Sequence, residues 1–225
     1  MHHDFWHERW RQNQIGFHQP VVNLYLQRFW PKLHLKEKAR VLVPLCGKSS
    51  DMLWLLEQGF QVVGVELSTL AVDAFFAENN LQAAVRRKGD FVFYELDDLQ
   101  IYCGDFFAIG TEMLGRIDAV YDRASLIALP PEMRVDYARQ MSNLLMPGTE
   151  SLLITFDYLQ EEMSGPPFSV SAEEIEQLYG DWCDIDILAC DNVEEPQGRF
   201  KDQKLSQITE RVFRLAKRPL TSTQD

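Results

Sequence analysis

Residues 41–66 constrain the fold more than any other part of the chain. Val41, Leu42 and Val43 form an apolar, mostly β-branched run suited to a buried strand. Pro44 and Gly47 interrupt it before Met52, Leu53, Leu55 and Leu56 resume the apolar pattern at helical spacing. Ser50 or Asp51 can cap that helix, and Gly59 stands where a left-handed C-terminal cap belongs. Gln61 to Val65 then supply a second buried strand that ends on Glu66. The unit is βαβ, and it commits the chain to an α/β, doubly wound architecture with helices on both faces of a mostly parallel sheet. In such sheets ligands lie beyond the carboxyl ends of the strands. The turn over residues 44–49 and Glu66 therefore face one crevice, with Glu66 placed to accept from ribose hydroxyls.

The chemistry of the turn narrows the ligand. Gly47-Lys48-Ser49 matches the tail of a phosphate-binding loop, but the opening glycine of that motif falls at Leu42, inside the strand. A dinucleotide fingerprint needs three glycines to bring backbone against a pyrophosphate, and this turn has Gly47 alone. A cofactor without phosphate, built of adenosine and a zwitterionic amino-acid tail, needs no such glycines. S-Adenosyl-L-methionine fits that description.

With 225 residues, 46% of them hydrophobic, the chain is long enough for one domain with a sizeable core. Residues 1–217 read as that domain, with an aromatic arm over residues 1–20 and a polar, disordered tail over residues 218–225. The net charge of −12 and isoelectric point near 4.9 offer no basic face to a phosphate backbone. Small molecules are the expected partners, and a monomer the expected state. Cys46, Cys103, Cys183 and Cys190 form no C-x-x-C pair, which points away from structural zinc and from a disulfide framework and toward a reducing cytoplasm. No leader-like segment or bilayer-length apolar run is visible, so neither export nor membrane association is expected.

Along the rest of the chain, further candidates fall at strand ends. Phe5, Trp6, Trp10 and Phe17 crowd the arm, with Trp6 and Trp10 on one helical face. They either plug one end of the sheet or cover the crevice, where indole faces would attract a sulfonium cation. Ser68 can cap the helix after Glu66. Phe91 to Tyr94 and Ile101 to Cys103 read as a hairpin, followed by Gly104 and by Asp105, a candidate acceptor for the adenine amino group. Ile117 to Tyr121 form a strand ending on Asp122 and Arg123, where Arg123 can bind the cofactor carboxylate or a substrate anion. Pro130 and Pro131 open a helix whose Met133, Tyr137, Met141, Leu144 and Leu145 are expected as core. A stiff loop, Gly165-Pro166-Pro167-Phe168, presents Phe168 toward the crevice as a substrate contact, and Ser171 with Glu174 forms a capping box. Two closing strands, over residues 182–188 and 205–215, complete an antiparallel pair.

Taken in order, the arm with Trp10, Phe17 and His18, the Pro-Leu-Cys-Gly-Lys-Ser turn at residues 44–49, Gly64-Val65-Glu66, Cys103-Gly104-Asp105-Phe106-Phe107, Tyr121-Asp122-Arg123 and Gly165-Pro166-Pro167-Phe168 resemble the thiopurine S-methyltransferases in their bacterial form. The resemblance runs from Phe5 to Leu215. It implies a seven-stranded doubly wound sheet and cofactor contacts from Trp10, Leu45, Glu66, Gly104, Asp105 and Arg123, with Phe17 facing the substrate. It also implies in-line methyl transfer to a soft nucleophile, with neither a catalytic metal nor an obligatory catalytic side chain. Another soft acceptor such as a selenium compound, a non-catalytic S-adenosylmethionine-binding module and a nicotinamide-dependent dehydrogenase are the alternatives that binding and turnover assays separate.

Overall fold

The structure, a computed structural model, describes residues 3–16, 18–196, 200–201, 203 and 205–219. The βαβ unit is present as β1 (Arg40–Pro44), α3 (Asp51–Glu57) and β2 (Gln61–Glu66), preceded by α1 (His3–Arg11) and α2 (Leu24–Phe29). It continues through α4 (Thr69–Glu78), the strands β3 (Ala84–Lys88), β4 (Phe91–Leu96) and β5 (Leu99–Cys103), and α5 (Thr111–Leu114). Then come β6 (Ala119–Arg123), α6 (Pro131–Leu144), β7 (Glu150–Asp157), α7 (Ala172–Tyr179), β8 (Cys183–Asn192) and β9 (Thr209–Lys217).

Among the described residues these strands make one sheet of order β3-β4-β5-β2-β1-β6-β7-β9-β8. The five central strands, β5 to β7, are parallel, and an antiparallel pair closes each side. From β1 the chain first builds toward β2 and β5, then returns to β6 and β7 on the other side. The reversal between β1 and β6 opens a crevice at their carboxyl ends. One face of the sheet packs Leu26, Trp30, Met52, Leu55, Val72 and Phe75 against the central strands, and the other packs residues of α5, α6 and α7. The doubly wound expectation holds.

Several details differ from the sequence reading. The sheet has nine strands among the described residues rather than seven, because β3 and β4 extend the edge beyond β5. Every residue of β3 is exposed, and Ala-Val-Arg-Arg-Lys carries no apolar alternation to betray a strand. The helix expected from Val21 begins at Leu24, where the Asn23 side chain accepts from the Tyr25 and Leu26 amides. Neither Ser50 nor Ser68 caps its helix through its side chain. The last strand starts at Thr209 rather than Leu205. Ser171 does cap α7, accepting from the Glu174 amide at 3.3 Å, but the Glu174 carboxylate leaves the capping box to grip buried Arg134 at 2.6 and 2.7 Å. The proposed disorder of residues 218–225 falls largely outside the described residues.

Candidate active site

A cavity opens over the carboxyl ends of β1, β2 and β6. Its floor is the turn after β1. Leu45 takes a left-handed backbone, φ 44°, and Gly47 another, φ 54°. A leucine in that region is costly and persists only where its surroundings hold it. The holding contacts are the Cys46 amide on the Val65 carbonyl at 3.0 Å and the Ser125 hydroxyl on the Pro44 carbonyl at 2.7 Å. Gly64 lets the turn close down, since a Cβ there would meet Cys46 Sγ at 2.7 Å.

Glu66 is buried at the end of β2. Its Oε2 accepts from the Gly47 amide and its Oε1 from the Ser68 amide, each at 2.8 Å. Burial pushes its carboxyl upward, while the amides of Ser68, Gly47 and Leu67 favour the ionised form. One carboxylate thus fixes the turn after β1 and the start of α4. The Ser68 amide spends its hydrogen bond on Glu66, and the Ser68 hydroxyl, buried, caps nothing. Each carboxylate oxygen accepts more than one hydrogen bond, so both retain room for a vicinal pair of hydroxyls.

Trp10, Leu45, Glu66, Asp105 and Arg123 all line the cavity. Asp105 also caps a short 3-10 turn at residues 106–108, accepting from the Phe107 amide at 2.9 Å. Arg123 ends β6 with Nη1 3.6 Å from Asp51 Oδ2. Gly104 is not among the lining residues. A Cβ there would lie 2.5 Å from the Phe91 ring, and its amide donates to the Glu66 carbonyl at 2.8 Å, so packing and strand pairing account for this glycine. Phe168 also stays off the lining. Its ring lies over Gly165 and 5.8 Å from the Arg134 guanidinium carbon, its amide donates to Ile127, and Pro166 and Pro167 face the cavity instead. Phe17 lies outside the described residues.

Among the other lining residues, Trp6 belongs to the aromatic cover and Lys48 to the turn already expected at the crevice, whereas Arg9, Gln14, Ile127, Ala128 and Leu129 escaped the sequence reading. Trp6, Arg9, Gln14 and Gly16 bring the arm over the cavity rather than to the end of the sheet, and His18 and Lys48 join them. Burial and the Lys48 charge lower the His18 pKa, keeping the imidazole neutral at pH 7. Ile127, Ala128, Leu129 and Met133 build an apolar wall beyond β6, so Met133, expected as core, faces the cavity. Leu129 starts an apolar pattern that runs into α6, and that pattern hid the wall as ordinary core. Cys46 also lines the cavity, but burial and the Glu66 charge raise its thiol pKa well above the usual value, so it is no nucleophile at neutral pH.

The donor set suits an adenosyl amino-acid cofactor. It offers a buried carboxylate with spare acceptor capacity for ribose, an aspartate one strand away, an arginine for a carboxylate, and indoles whose faces suit a cation.

The profile of the family described as "Thiopurine S-methyltransferase (TPMT)" matches residues 1–218. The chain is 50% identical over 218 residues to a protein of Nitrosospira multiformis named thiopurine S-methyltransferase, covering 97% of this chain and 99% of that relative. It is 48% identical over 214 residues to one of the same name from Pseudomonas fluorescens (strain SBW25), covering 95% and 98%. Among solved structures, the fold is similar to Burkholderia thailandensis 1,6-didemethyltoxoflavin-N1-methyltransferase with bound 1,6-didemethyltoxoflavin and S-adenosylhomocysteine. The TM-score is 0.63 at 16% identity, over 96% of this chain and 87% of that one. A methyltransferase dependent on S-adenosylmethionine from Anabaena variabilis gives 0.62 at 16% identity, over 96% and 95%.

Proposed function

The chain belongs to the thiopurine S-methyltransferase family and is an S-adenosylmethionine-dependent methyltransferase, and from that premise we propose that it methylates the sulfur of aromatic or heterocyclic thiols, thiopurines among them. The observation that carries this reading is the polarity of the cavity. Its two carboxylates, Glu66 and Asp105, stand at the ends of β2 and β5, whereas the side beyond β6 and β7 is lined by Ile127, Ala128, Leu129, Met133, Pro166 and Pro167. An apolar wall without a carboxylate suits a flat acceptor whose nucleophile ionises by itself.

S-Adenosylmethionine supplies an electrophilic methyl group on a sulfonium. Glu66 holds the ribose hydroxyls and Arg123 the amino-acid carboxylate, fixing the two ends. Asp105 accepts from the adenine amino group. The Trp6 and Trp10 indoles cover the sulfonium and exclude water from it. The apolar wall of Ile127, Leu129 and Met133 would hold a flat acceptor ring beside the cofactor. Orientation of this kind can supply about 7 kcal/mol of the barrier, and no cavity side chain is asked to take the acceptor's proton. Leu45 contributes shape at the floor.

All four cysteines are free, in keeping with a reducing cytoplasm, and the charge of −12 disfavours nucleic acid, in keeping with action on small molecules. Among the described residues no helix is long and apolar enough to cross a membrane.

The test is turnover of methyl-labelled S-adenosylmethionine with an aryl thiol. The expected result is label on sulfur and one S-adenosylhomocysteine per methyl thioether. Binding of the cofactor with no transfer to any aryl or heteroaryl thiol would sink the proposal.

A further inference from the structure

Asp51 opens α3 as a buried carboxylate, 2% exposed, and it does not line the cavity. Three residues from two other elements converge on it. Its Oδ1 accepts from the Asn23 amide at 2.8 Å. Its Oδ2 accepts from the Tyr121 hydroxyl at 2.9 Å and lies 3.6 Å from Arg123 Nη1. Tyr121 and Arg123 are alternate residues of β6 and so project from the same face of the sheet, toward α3. Asn23 is the cap of α2 and the point at which the N-terminal arm joins the body. A buried carboxylate is tolerated only when paired and hydrogen-bonded, and here it is hydrogen-bonded to Tyr121 and to Asn23 at the base of the arm and ion-paired with Arg123.

We infer that Asp51 is a positioning residue that aims Arg123 at the carboxylate of the cofactor's amino-acid end and ties that aim to the base of the arm. The inference rests on the methyltransferase reading above. A guanidinium is a rigid planar fork, so keeping Nη1 beside Asp51 restricts the orientation of the whole group. Tyr121 fixes Oδ2 in turn, and the Asn23 amide fixes Oδ1. An arginine on a solvent-facing strand end would sample many rotamers and lose part of that freedom on binding. Asp51 removes that cost in advance.

The experiment is calorimetric titration of the full chain with S-adenosylhomocysteine and with its decarboxylated analogue, which differs only at the group Arg123 is meant to hold. Wild type should bind S-adenosylhomocysteine the more tightly. Asp51→Asn should raise the dissociation constant for S-adenosylhomocysteine roughly tenfold, the scale of one charge-assisted hydrogen bond, and leave that of the analogue within about twofold. Tyr121→Phe keeps the charge and the fold while releasing Oδ2. It should show the same selective loss, about threefold, and it carries the test if Asp51→Asn does not fold. Once Arg123 is replaced by Met, adding Asp51→Asn should cost nothing further for either ligand. Equal weakening of both ligands, or no change for either, would show that Asp51 merely holds the fold. Wild type binding neither ligand would overturn the cofactor reading itself, and the inference with it.

Discussion

Replacing Glu66 by Ala should separate what this carboxylate does for the fold from what it does for the cofactor. The side chain accepts from two buried amides, Gly47 and Ser68, at 2.8 Å each. Leaving a buried donor unsatisfied costs about 1–3 kcal/mol, and the substitution strands two of them. Part of that loss is returned, because burial raises the Glu66 pKa and the ionised carboxylate is itself costly to keep there. The ligand-free protein should therefore lose about 2–4 kcal/mol, a large share of a typical total but short of global unfolding. Cofactor binding suffers separately. Hydroxyls donating to a charged acceptor contribute about 1.5–3 kcal/mol each, so the dissociation constant should rise at least about tenfold. Urea unfolding reads both effects. At a ligand concentration about 100 times the wild-type dissociation constant, S-adenosylhomocysteine should stabilise wild type by about 2.7 kcal/mol and Glu66→Ala by no more than about 1.4 kcal/mol. An equal ligand-induced gain in both proteins would refute the ribose contact, whatever happened to the ligand-free stability.

Two further predictions concern the arm and a buried acid. The helix α1 covers the cavity from outside the sheet, so its amides should exchange quickly in the free protein and slow markedly with S-adenosylhomocysteine; Trp10→Ala should weaken cofactor binding, and equally slow exchange in both states would make the arm a static cover. Asp122 is buried off the cavity, and burial raises its pKa to about 6 against the hydrogen bond from the Tyr137 hydroxyl at 2.7 Å. A carboxyl raised in the folded state holds its proton more tightly there than when unfolded, so stability falls as pH rises from about 4 to about 6 and the full penalty persists above. Asp122→Asn should therefore gain up to about 3 kcal/mol over wild type at pH 8, and the gain should vanish near pH 4; a pH-independent difference in urea titrations would contradict this assignment.

The βαβ unit was legible because its signals agree with one another. The apolar run at Val41 to Val43, the helical spacing from Met52 and the left-handed Gly59, φ 85°, all act within a few residues. Glu66 was legible because a carboxylate closing an apolar strand has few other uses. What depends on tertiary partners was not. The left-handed Leu45 is held by Val65 and Ser125, and nothing in its own sequence marks it. Ser68 carries a cap signature, yet its buried hydroxyl makes no cap hydrogen bond. Gly104 and Phe168 read as site residues from their loops. The structure spends one on the Phe91 ring and turns the other toward Gly165 and Arg134, while their neighbours Asp105, Pro166 and Pro167 face the cavity. Asp51 looked like a helix cap. Its role depends on β6 and α2, which lie 70 and 28 residues away in the chain.

On the proposed mechanism this cavity orients a thiolate which ionises by itself and lends it no base. The direct measurement is the pH dependence of kcat/KM with S-adenosylmethionine saturating, across aryl thiols whose acidities span about two pKa units. The rising limb should move with each thiol's own pKa and stay unaltered by Asp122→Asn. A limb at one pH for every thiol, lost on replacing a single cavity residue such as Asp105 or His18, would contradict it and assign the proton to the enzyme.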